Sequence, residues 1–292
     1  MGTLFSSFSP WEASSRTVLI TGASSGIGAE LARQFAKENT HLALLGRNEE
    51  RLTSVATECR ELGAASVKTY SADLSENYQI DRAVRDVIQD FGGGFDVVVL
   101  NAGRSQGCYF EEILDAEQID YLLKLNVSGN IILLQKILRH VYKSRHSRIV
   151  FVSSTAGIIP VAYRTIYCAS KFAITGFSGS LRMELKDTYG EDAPKVCLLA
   201  LPEVGGTNLN QARLQFGANQ PPVQFKEEAS AGLKSTCEQA MSAIRRGDRE
   251  WGLPTKVSLL RPFYSLLPNT MDNLVMKHLR KTHFRPTSDV NK

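Results

Sequence analysis

The sequence predicts an α/β fold, a doubly wound parallel sheet with helices on both faces. Apolar runs of strand length alternate with longer segments of helical period along most of the 292 residues, as expected of right-handed βαβ units. The glycine-rich stretch 21–28 (TGASSGIG) joins the first strand to the first helix. The run 97–100 (VVVL) is apolar throughout, as is typical of a strand covered on both faces.

Each element follows from an apolar run or from a period of three to four residues. The predicted strands cover residues 17–20, 41–46, 66–71, 96–100, 148–153 and 196–200. The predicted helices cover residues 29–39, 49–62, 79–90, 127–142, 166–189 and 227–246. The segment 202–225 is rich in Gly, Asn, Gln and Pro and has no clear period. Because it follows the carboxyl end of a strand, we expect a mobile lid over the substrate; an ordinary surface loop is the alternative.

Composition and charge divide the chain into three parts. With 43% hydrophobic residues the chain can bury a large core. The net charge of +4 is concentrated in residues 254–292, which hold seven Lys or Arg against two Asp. We therefore expect an N-terminal tail over 1–15, one domain over 16–253 and a basic C-terminal extension over 254–292. The body lacks the positive charge of a nucleic-acid groove, so no nucleic-acid partner is expected.

The cysteines and the hydropathy pattern indicate the compartment. The five cysteines are odd in number and lack the CxxC spacing of a metal site. We expect reduced thiols, a cytoplasmic location and no metal. No uninterrupted run of eighteen apolar residues occurs, so no transmembrane helix is expected.

Tyr167 and Lys171, in the stretch YCASK, stand four positions apart in a predicted helix. Residues with this spacing lie over the same helix face, so the ammonium group points where the phenol points. A phenol titrates near pH ~10 in water, which makes it a poor proton shuttle near neutrality. At about 5 Å and an effective dielectric of about 20, one positive charge favours the phenolate by about 3 kcal/mol. We therefore expect Lys171 to lower the pKa of Tyr167 and to make it a usable general acid and base.

Gly22, Gly26 and Gly28 follow the first strand and open the first helix. Such a turn aims backbone N–H groups and the positive end of the helix dipole at a pyrophosphate, so it predicts a dinucleotide site in a Rossmann-type domain. Their spacing, TGxxxGxG, differs from the TGxxGxxG of sugar epimerases, which disfavours that class.

The glycine turn and the Tyr-Lys pair together resemble the short-chain dehydrogenase/reductase family, over roughly residues 16–253. In that family a serine, a tyrosine, a lysine and an upstream asparagine catalyse hydride transfer between NAD(P) and a carbonyl or alcohol. The resemblance implies a homodimer or homotetramer that pairs through two long helices.

The resemblance assigns a role to each catalytic residue. Tyr167 would exchange a proton with the substrate oxygen, and Ser154 would hydrogen-bond and orient that oxygen. Ser153 is the alternative to Ser154, because only strand register separates them. Lys171 would also hydrogen-bond the nicotinamide ribose, and Asn126, in LNVSG, would hold a water that connects the lysine to solvent. Taken alone, Ser154 and Asn126 are typical of turns or helix caps.

The resemblance also implies cofactor contacts along the carboxyl edge of the sheet. The implied contact residues are Gly22, Ser24, Ser25, Gly26, Ile27 and Gly28 in the glycine turn, Asp73 and Leu74 at the adenine, Asn101, Ala102 and Gly103 at the floor of the site, Tyr167 and Lys171, and Pro202, Gly205 and Thr207. This chain departs from the family pattern at Glu203, where the family has glycine, and at Leu100, where it often has a first asparagine.

Arg47 favours NADP(H) over NAD. An NAD enzyme usually carries an acidic residue at the end of the second strand, where it binds the ribose 2′-hydroxyl. Here the strand ends in Leu45, Gly46 and Arg47. The guanidinium offers planar donors that suit a 2′-phosphate. A solvated loop arginine is the alternative, and Ser25 stands at the family's other basic position.

An apolar ketone or alcohol is the expected substrate. Residues 158–163 (IIPVAY), between the serine and the tyrosine, and Tyr109 and Phe110 form a candidate apolar wall, suited to a lipid-like or steroid-like molecule. Ordinary core is the alternative. The sequence thus predicts an NADP(H)-dependent oxidoreductase; the main alternative is a non-catalytic dinucleotide-binding scaffold or sensor, and a second is an isomerase or epimerase that uses the cofactor transiently.

The two ends of the chain suggest membrane contact. Residues 257–279 place leucines at helical spacing beside Arg261, Lys277 and Arg280. Prolines and embedded charges argue against a span, but the pattern suits helices that lie on an endomembrane surface. A tail that packs on a partner or on the chain's own lid is the alternative. Residues 1–6 (MGTLFS) fit the myristoylation pattern, although a disordered terminus is the simpler interpretation.

Overall fold

A computed structural model describes residues 15–113, 115–143, 145–205, 207, 224–225 and 232–284. The acylation motif, most of the expected lid, the start of the last predicted helix and residues 285–292 lie outside the described residues.

The described chain forms one parallel sheet with helices on both faces, as the sequence predicts. The strands of this sheet are β1 (Thr17–Thr21), β2 (His41–Gly46), β3 (Ser66–Ser71), β4 (Val97–Leu100), β5 (Arg148–Ser154), β6 (Lys195–Leu201) and β8 (Glu250–Trp251). The helices are α1 (Gly26–Ala36), α2 (Glu49–Glu61), α3 (Asn77–Phe91), α4 (Ala116–Leu123), α5 (Gly129–Ile137), α6 (Thr165–Tyr189), α7 (Leu233–Arg246), α8 (Thr255–Leu266) and α9 (Pro268–Thr282). Two short strands, β7 (Gln224–Phe225) and β9 (His283–Phe284), pair antiparallel outside the sheet.

The order of the sheet, β3-β2-β1-β4-β5-β6-β8, reverses direction between β1 and β4. Every strand pair in it is parallel. In an open α/β sheet, ligands bind outside the carboxyl ends of the strands at such a reversal. The topology therefore places the binding site above the ends of β1, β4 and β5.

The core lies in two layers, one on each face of the sheet. In β4, Val97 and Val99 belong to the layer packed against α1 and α7. Val98 and Leu100 belong to the layer on the opposite face, with residues of α3 and α6. All four residues are at most 3% exposed. This two-sided burial explains the unbroken apolar sequence of the strand.

The predicted helix over residues 127–142 is wrong at both ends. The helical segment begins at Ala116, after Asp115, whose carboxylate accepts a hydrogen bond from the backbone N–H of Glu117. It passes through a π-helical turn, Lys124–Ser128, and α5 ends at Ile137. Because the π-turn shifts the buried face within the segment, its first half does not show a single helical period.

The C-terminal extension folds back onto the domain that contains the parallel sheet. Met271 and Leu279 of α9 are only 7% and 5% exposed. In α8, by contrast, Leu259 and Leu266 are 66% and 72% exposed. Among the described residues, no helix combines the length and the apolar character needed to cross a bilayer.

Candidate active site

The turn between β1 and α1 is shaped to hold a phosphate. Gly26 has φ +56°, a conformation that favours glycine. A Cβ on Gly28 would meet the carbonyl oxygen of Gly22 and the side-chain nitrogen of Asn101. The absence of side chains thus lets the backbone approach closely and leaves the first amides of α1 facing the cleft.

Asn101 ties the end of β4 to the glycine turn. Its Nδ2 donates to the carbonyl oxygens of Thr21 at 2.9 Å and of Gly22 at 3.2 Å. The Thr21 hydroxyl in turn accepts hydrogen bonds from the backbone N–H groups of Asn101, at 2.9 Å, and Ala102, at 3.0 Å. Because both N–H groups of its side-chain amide are used in this way, Asn101 is held in place at the floor of the cleft.

A cleft of about 380 Å³ lies above this floor. Fourteen of the predicted cofactor residues line this cleft or the adjoining cavity, or belong to both: Gly22, Ser24, Ser25, Gly26, Ile27, Arg47, Leu74, Asn101, Ala102, Gly103, Tyr167, Lys171, Pro202 and Thr207. Asn48, Arg51 and Arg104 also line the cleft and were not predicted. Arg51 lies in the first turn of α2, and because Arg47 precedes that helix, helical spacing gave no signal for it.

Arg47 and Asp73 face each other at the far end of the cleft. A nitrogen of Arg47 lies 3.4 Å from a carboxylate oxygen of Asp73, and it also donates to the Tyr121 hydroxyl. Asp73 accepts further hydrogen bonds from the backbone and hydroxyl of Ser75. Asp73 does not line the cleft itself. Gly205, which was also predicted to contact the cofactor, lines neither of the two cavities.

Tyr167 and Lys171 are both buried at the start of α6, where β5 and β6 meet it. Tyr167 is 3% exposed and Lys171 is 6% exposed. The Lys171 Nζ lies 5.7 Å from the centre of the Tyr167 ring and donates to the carbonyl oxygen of Val152 at 2.9 Å. Burial lowers the pKa of Lys171 to about 8.

The net direction of the Tyr167 shift is opposite to the one expected from the sequence. Burial raises the pKa of Tyr167, because the phenolate loses its hydration. The positive charge of Arg164 and a hydrogen bond with Ser154 act against this rise. Arg164, which the sequence did not single out, is therefore one source of the positive charge that favours the phenolate.

Strand register separates the two candidate serines. The Ser154 hydroxyl hydrogen-bonds with the Tyr167 phenol and accepts from the backbone N–H of Ala156 at 3.2 Å. The Ser153 hydroxyl is buried, makes no hydrogen bond with any described residue, and lies close to Gly157. The structure thus places Ser154, rather than Ser153, beside the phenol.

Asn126 lies in the π-turn and connects two parts of the site. Its Oδ1 accepts from the backbone N–H of Arg104 at 2.8 Å, and its Nδ2 donates to the Arg104 carbonyl oxygen at 2.9 Å and to Ser170 at 3.0 Å. A Cβ on Gly103 would lie 3.1 Å from Asn126 Oδ1 and 3.8 Å from Lys171 Nζ. Asn126 therefore lies next to the lysine, as expected. Its side-chain amide, however, hydrogen-bonds with Arg104 and Ser170, whereas the sequence predicted that it would hold a water. π-turns occur often at functional sites.

A second cavity, of about 700 Å³, opens beside Tyr167. It shares Ile27, Asn101, Gly103 and Thr207 with the dinucleotide cleft, so the two spaces adjoin. Its other lining residues are mostly apolar: Val152, Ser153, Ser154, Thr155, Ala156, Ile159, Val161, Arg164, Tyr167, Lys171, Leu201, Pro202, Glu203, Val204, Pro254, Val257, Leu274, Val275, His278 and Leu279. We name this space the substrate cavity.

The substrate cavity corrects the predicted substrate wall, and it also receives residues of α9. Of the predicted wall, Ile159 and Val161 line the cavity, while Tyr109 and Phe110 do not. One wall comes instead from α9, through residues such as Leu274 and Leu279 that the sequence analysis assigned to a membrane surface. Their apolar spacing fits both uses, so the sequence could not distinguish them.

Comparison with known proteins agrees with this geometry. The family model described as short chain dehydrogenase matches residues 16–196. The chain is 32% identical over 266 residues to the hydroxysteroid 11-beta-dehydrogenase 1-like protein of Gallus gallus, covering 90% of this chain and 86% of that protein. It is 31% identical to the 11-beta-hydroxysteroid dehydrogenase of Pinus massoniana, over 73% of this chain and 57% of that protein. It is 38% identical to dehydrogenase/reductase SDR family member 7 of Mus musculus, over 60% of this chain and 52% of that protein. The chain thus spans little more than half the length of these last two relatives.

Among solved structures, the alcohol dehydrogenase of the archaeon Thermococcus sibiricus, complexed with 5-hydroxy-NADP, superposes with a TM-score of 0.69. It covers 82% of this chain and 96% of its own, at 24% sequence identity. A likeness at this level of identity concerns the fold alone.

Proposed function

The chain belongs to the short-chain dehydrogenase family, and from that premise we propose that it is an NADP(H)-dependent oxidoreductase acting on a carbonyl or secondary alcohol of an apolar substrate. The observation that carries the proposal is the position of the Tyr167 phenol. It lies in the wall of an apolar cavity of about 700 Å³ that adjoins the dinucleotide cleft and shares four lining residues with it. The names of the Gallus gallus and Pinus massoniana relatives favour a steroid or a similar lipid as the substrate.

The residues of the cleft fit a nicotinamide dinucleotide. The glycine turn presents backbone N–H groups at the start of α1, and Arg47, Arg51 and Arg104 supply positive charge along the cleft. The second strand does not end in the acidic residue that binds the ribose 2′-hydroxyl in NAD enzymes, and Arg47 follows it instead. This supports NADP(H) rather than NAD as the preferred cofactor. When bound, this cofactor supplies or accepts the hydride.

Tyr167 supplies the proton in the proposed reaction. A phenol whose pKa is raised by burial is protonated near neutral pH, so it suits the reduction of a carbonyl, in which the substrate oxygen must gain a proton. Ser154 hydrogen-bonds with the phenol and can donate to the same substrate oxygen. Lys171, held by the Val152 carbonyl, keeps positive charge close to the site. Asn126 fixes the Arg104 backbone beside the lysine.

The direct test is NADPH oxidation by the purified chain across ketosteroids, 3-keto-sphingoid bases and retinoid aldehydes. We expect turnover of at least one class and a higher kcat/KM with NADPH than with NADH. Equal use of NADH would contradict the role of Arg47. NADPH binding without turnover of any carbonyl would favour the alternative function, a dinucleotide-binding scaffold or sensor.

We also propose that α8 rests on the cytoplasmic side of an endomembrane. Its exposed Leu259, Phe263 and Leu266 support this role, and the neighbouring α9 carries the exposed cations Lys277 and Arg280. In a flotation assay, vesicles that contain an anionic lipid should carry the protein, and the double variant Leu259→Ser, Leu266→Ser should stay in solution. Equal flotation of both proteins would contradict the proposal.

The chain is further proposed to form a homodimer or homotetramer through its two long helical segments, α4 to α5 and α6. Helix α6 presents Phe172 and Met183, which are 42% and 69% exposed, on its outer surface. Light scattering should give a mass two or four times that of the 32.2 kDa chain. A monomeric mass at micromolar concentration would contradict this assignment.

A further inference from the structure

An arginine lies in the wall of the substrate cavity, one helical turn before Tyr167. Arg164 directly precedes α6, and its side chain is 11% exposed. It lines the cavity together with Tyr167. Arginine side chains are seldom buried to this degree unless they are paired. A cation in a mostly apolar wall therefore indicates a specific role.

The backbone before Arg164 adopts a conformation that residues other than glycine seldom have. Tyr163 has φ +67°. Its carbonyl oxygen accepts a hydrogen bond from the backbone N–H of Cys108 at 3.1 Å, and its ring meets that of Tyr109 edge-on with centroids 4.9 Å apart. Strained residues of this kind cluster at functional sites, where the surrounding structure imposes them. Here the strained turn brings Arg164 into the cavity.

The partner of Arg164 comes from another element of the fold. Glu203 follows β6, and its Oε2 lies 3.7 Å from the Arg164 Nη2. The Glu203 side chain is 36% exposed and also lines the cavity. The glycine that the family has at this position could not form such a pair. The two charges therefore lie on two elements that meet beside Tyr167.

We propose that Arg164 and Glu203 are positioning residues that set the electrostatic environment of the Tyr167 phenol. Arg164 favours the negative charge that the phenol acquires when it gives up its proton, and Glu203 limits this effect. The inference rests on the proposed function of Tyr167 as the proton donor.

Two observations support this division of roles. Of the charges around Tyr167, Arg164 has the largest lowering effect on its pKa, whereas Glu203 raises that pKa. The Lys171 ammonium donates to the Val152 carbonyl oxygen. Among the residues that the structure describes, the other titratable groups that line the cavity or lie next to Tyr167 are Cys168 and Lys171 on α6 and His278 on α9.

The test compares the pH dependence of kcat/KM for carbonyl reduction in two variants. Reduction needs the protonated phenol, so the rate falls as pH rises through the pKa of Tyr167. Arg164→Met removes a charge that lowers this pKa, so the falling limb should move to higher pH. Glu203→Gln removes a charge that raises it, so the limb should move to lower pH. Arg164→Lys keeps the charge and should restore most of the wild-type profile.

A second measurement assigns these shifts to the phenol. Because burial lowers the pKa of Lys171 to about 8, a kinetic profile combines the titrations of both groups. Tyrosine labelled with ¹³C at Cζ gives an NMR signal for each ring, and the signal that Tyr167→Phe removes identifies Tyr167. Its titration should shift in opposite directions in the Arg164→Met and Glu203→Gln proteins. His278→Gln should leave this titration essentially in place.

The NMR titration does not depend on substrate turnover, so the two proposals can fail separately. Opposite shifts of the Tyr167 titration without turnover of any carbonyl would support the electrostatic role of Arg164 and Glu203 and would contradict the proposed oxidoreductase function. Turnover with an unchanged titration in both variants, or with shifts in the same direction, would overturn the inference. The exposed Arg145 lies before β5, at the opposite end of that strand from the cavity, and Arg145→Met is the matched control that should change neither measurement.

Discussion

The dinucleotide cleft and the substrate cavity are built in different ways, although they share a border. Most of the cleft comes from the turns that directly follow β1, β2 and β4. The substrate cavity combines the ends of β5 and β6, the start of α6 and the distant helix α9. A site made by local turns depends on a few backbone positions, whereas a site made by distant segments depends on how side chains pack. The two regions should therefore respond differently to substitution.

The largest effect is expected at Tyr167, where the two regions meet. Tyr167→Phe removes the proton donor and keeps the ring, so kcat should fall by about 10²–10⁴-fold while NADPH binding stays within about twofold. Turnover measured at saturating NADPH, together with fluorescence titration of NADPH, checks both parts. A rate that survives the substitution would contradict the proposed mechanism.

The next largest effect is expected at Arg47, at the far end of the cleft. Arg47→Leu removes donors to the proposed 2′-phosphate, and hydrogen bonds to a charged group contribute about 1.5–3 kcal/mol. The KM for NADPH should therefore rise by roughly 10- to 100-fold, whereas the KM for NADH should change little. Arg85→Leu, an exposed position on α3, is the matched control. A parallel rise for both cofactors would mean that Arg47 has a general structural role.

The third effect tests the close backbone approach in the glycine turn. A methyl group at Gly28 would meet the Gly22 carbonyl oxygen and the Asn101 amide, so Gly28→Ala should cost about 1–3 kcal/mol of unfolding free energy. In α6, a Cβ at Gly179 would meet no atom within 4 Å, so Gly179→Ala should be neutral or stabilising by about 0.5–1 kcal/mol. Urea unfolding of both variants measures the contrast. Equal destabilisation would mean that loss of flexibility, rather than a clash, controls stability in both places.

This contrast also explains what the sequence could reveal. Three features could be predicted from the sequence because each has a signal among residues that are close in the chain. These are the strands of the parallel sheet, the glycine turn, and the pair of Tyr167 and Lys171. Strand periodicity could not decide between Ser153 and Ser154, since a shift of one residue exchanges the two faces of a strand.

Other features depend on contacts between distant segments. The ion pair of Arg164 and Glu203 joins residues 39 positions apart, and the strained turn at Tyr163 has no sequence signal of its own. In the same way, the leucines of α9 have a helical spacing that does not reveal what they will contact. The π-turn around Asn126 was missed because it interrupts the helical period on which the prediction relied.

The smallest effect should come from α9, and it decides whether this helix belongs to the substrate cavity. Leu279 is 5% exposed and lines the cavity, whereas Leu266 of α8 is 72% exposed. Leu279→Ala removes three side-chain carbons from the wall, so the KM for an apolar ketone should rise by about three- to tenfold, as expected if the substrate loses apolar contact equal to about one or two methylene groups. The KM for NADPH should not change, because no described residue of α9 lines the dinucleotide cleft. Leu266→Ala should change neither constant, and a rise in KM from that variant alone would mean that substrate reaches the cavity across the outer face of α8.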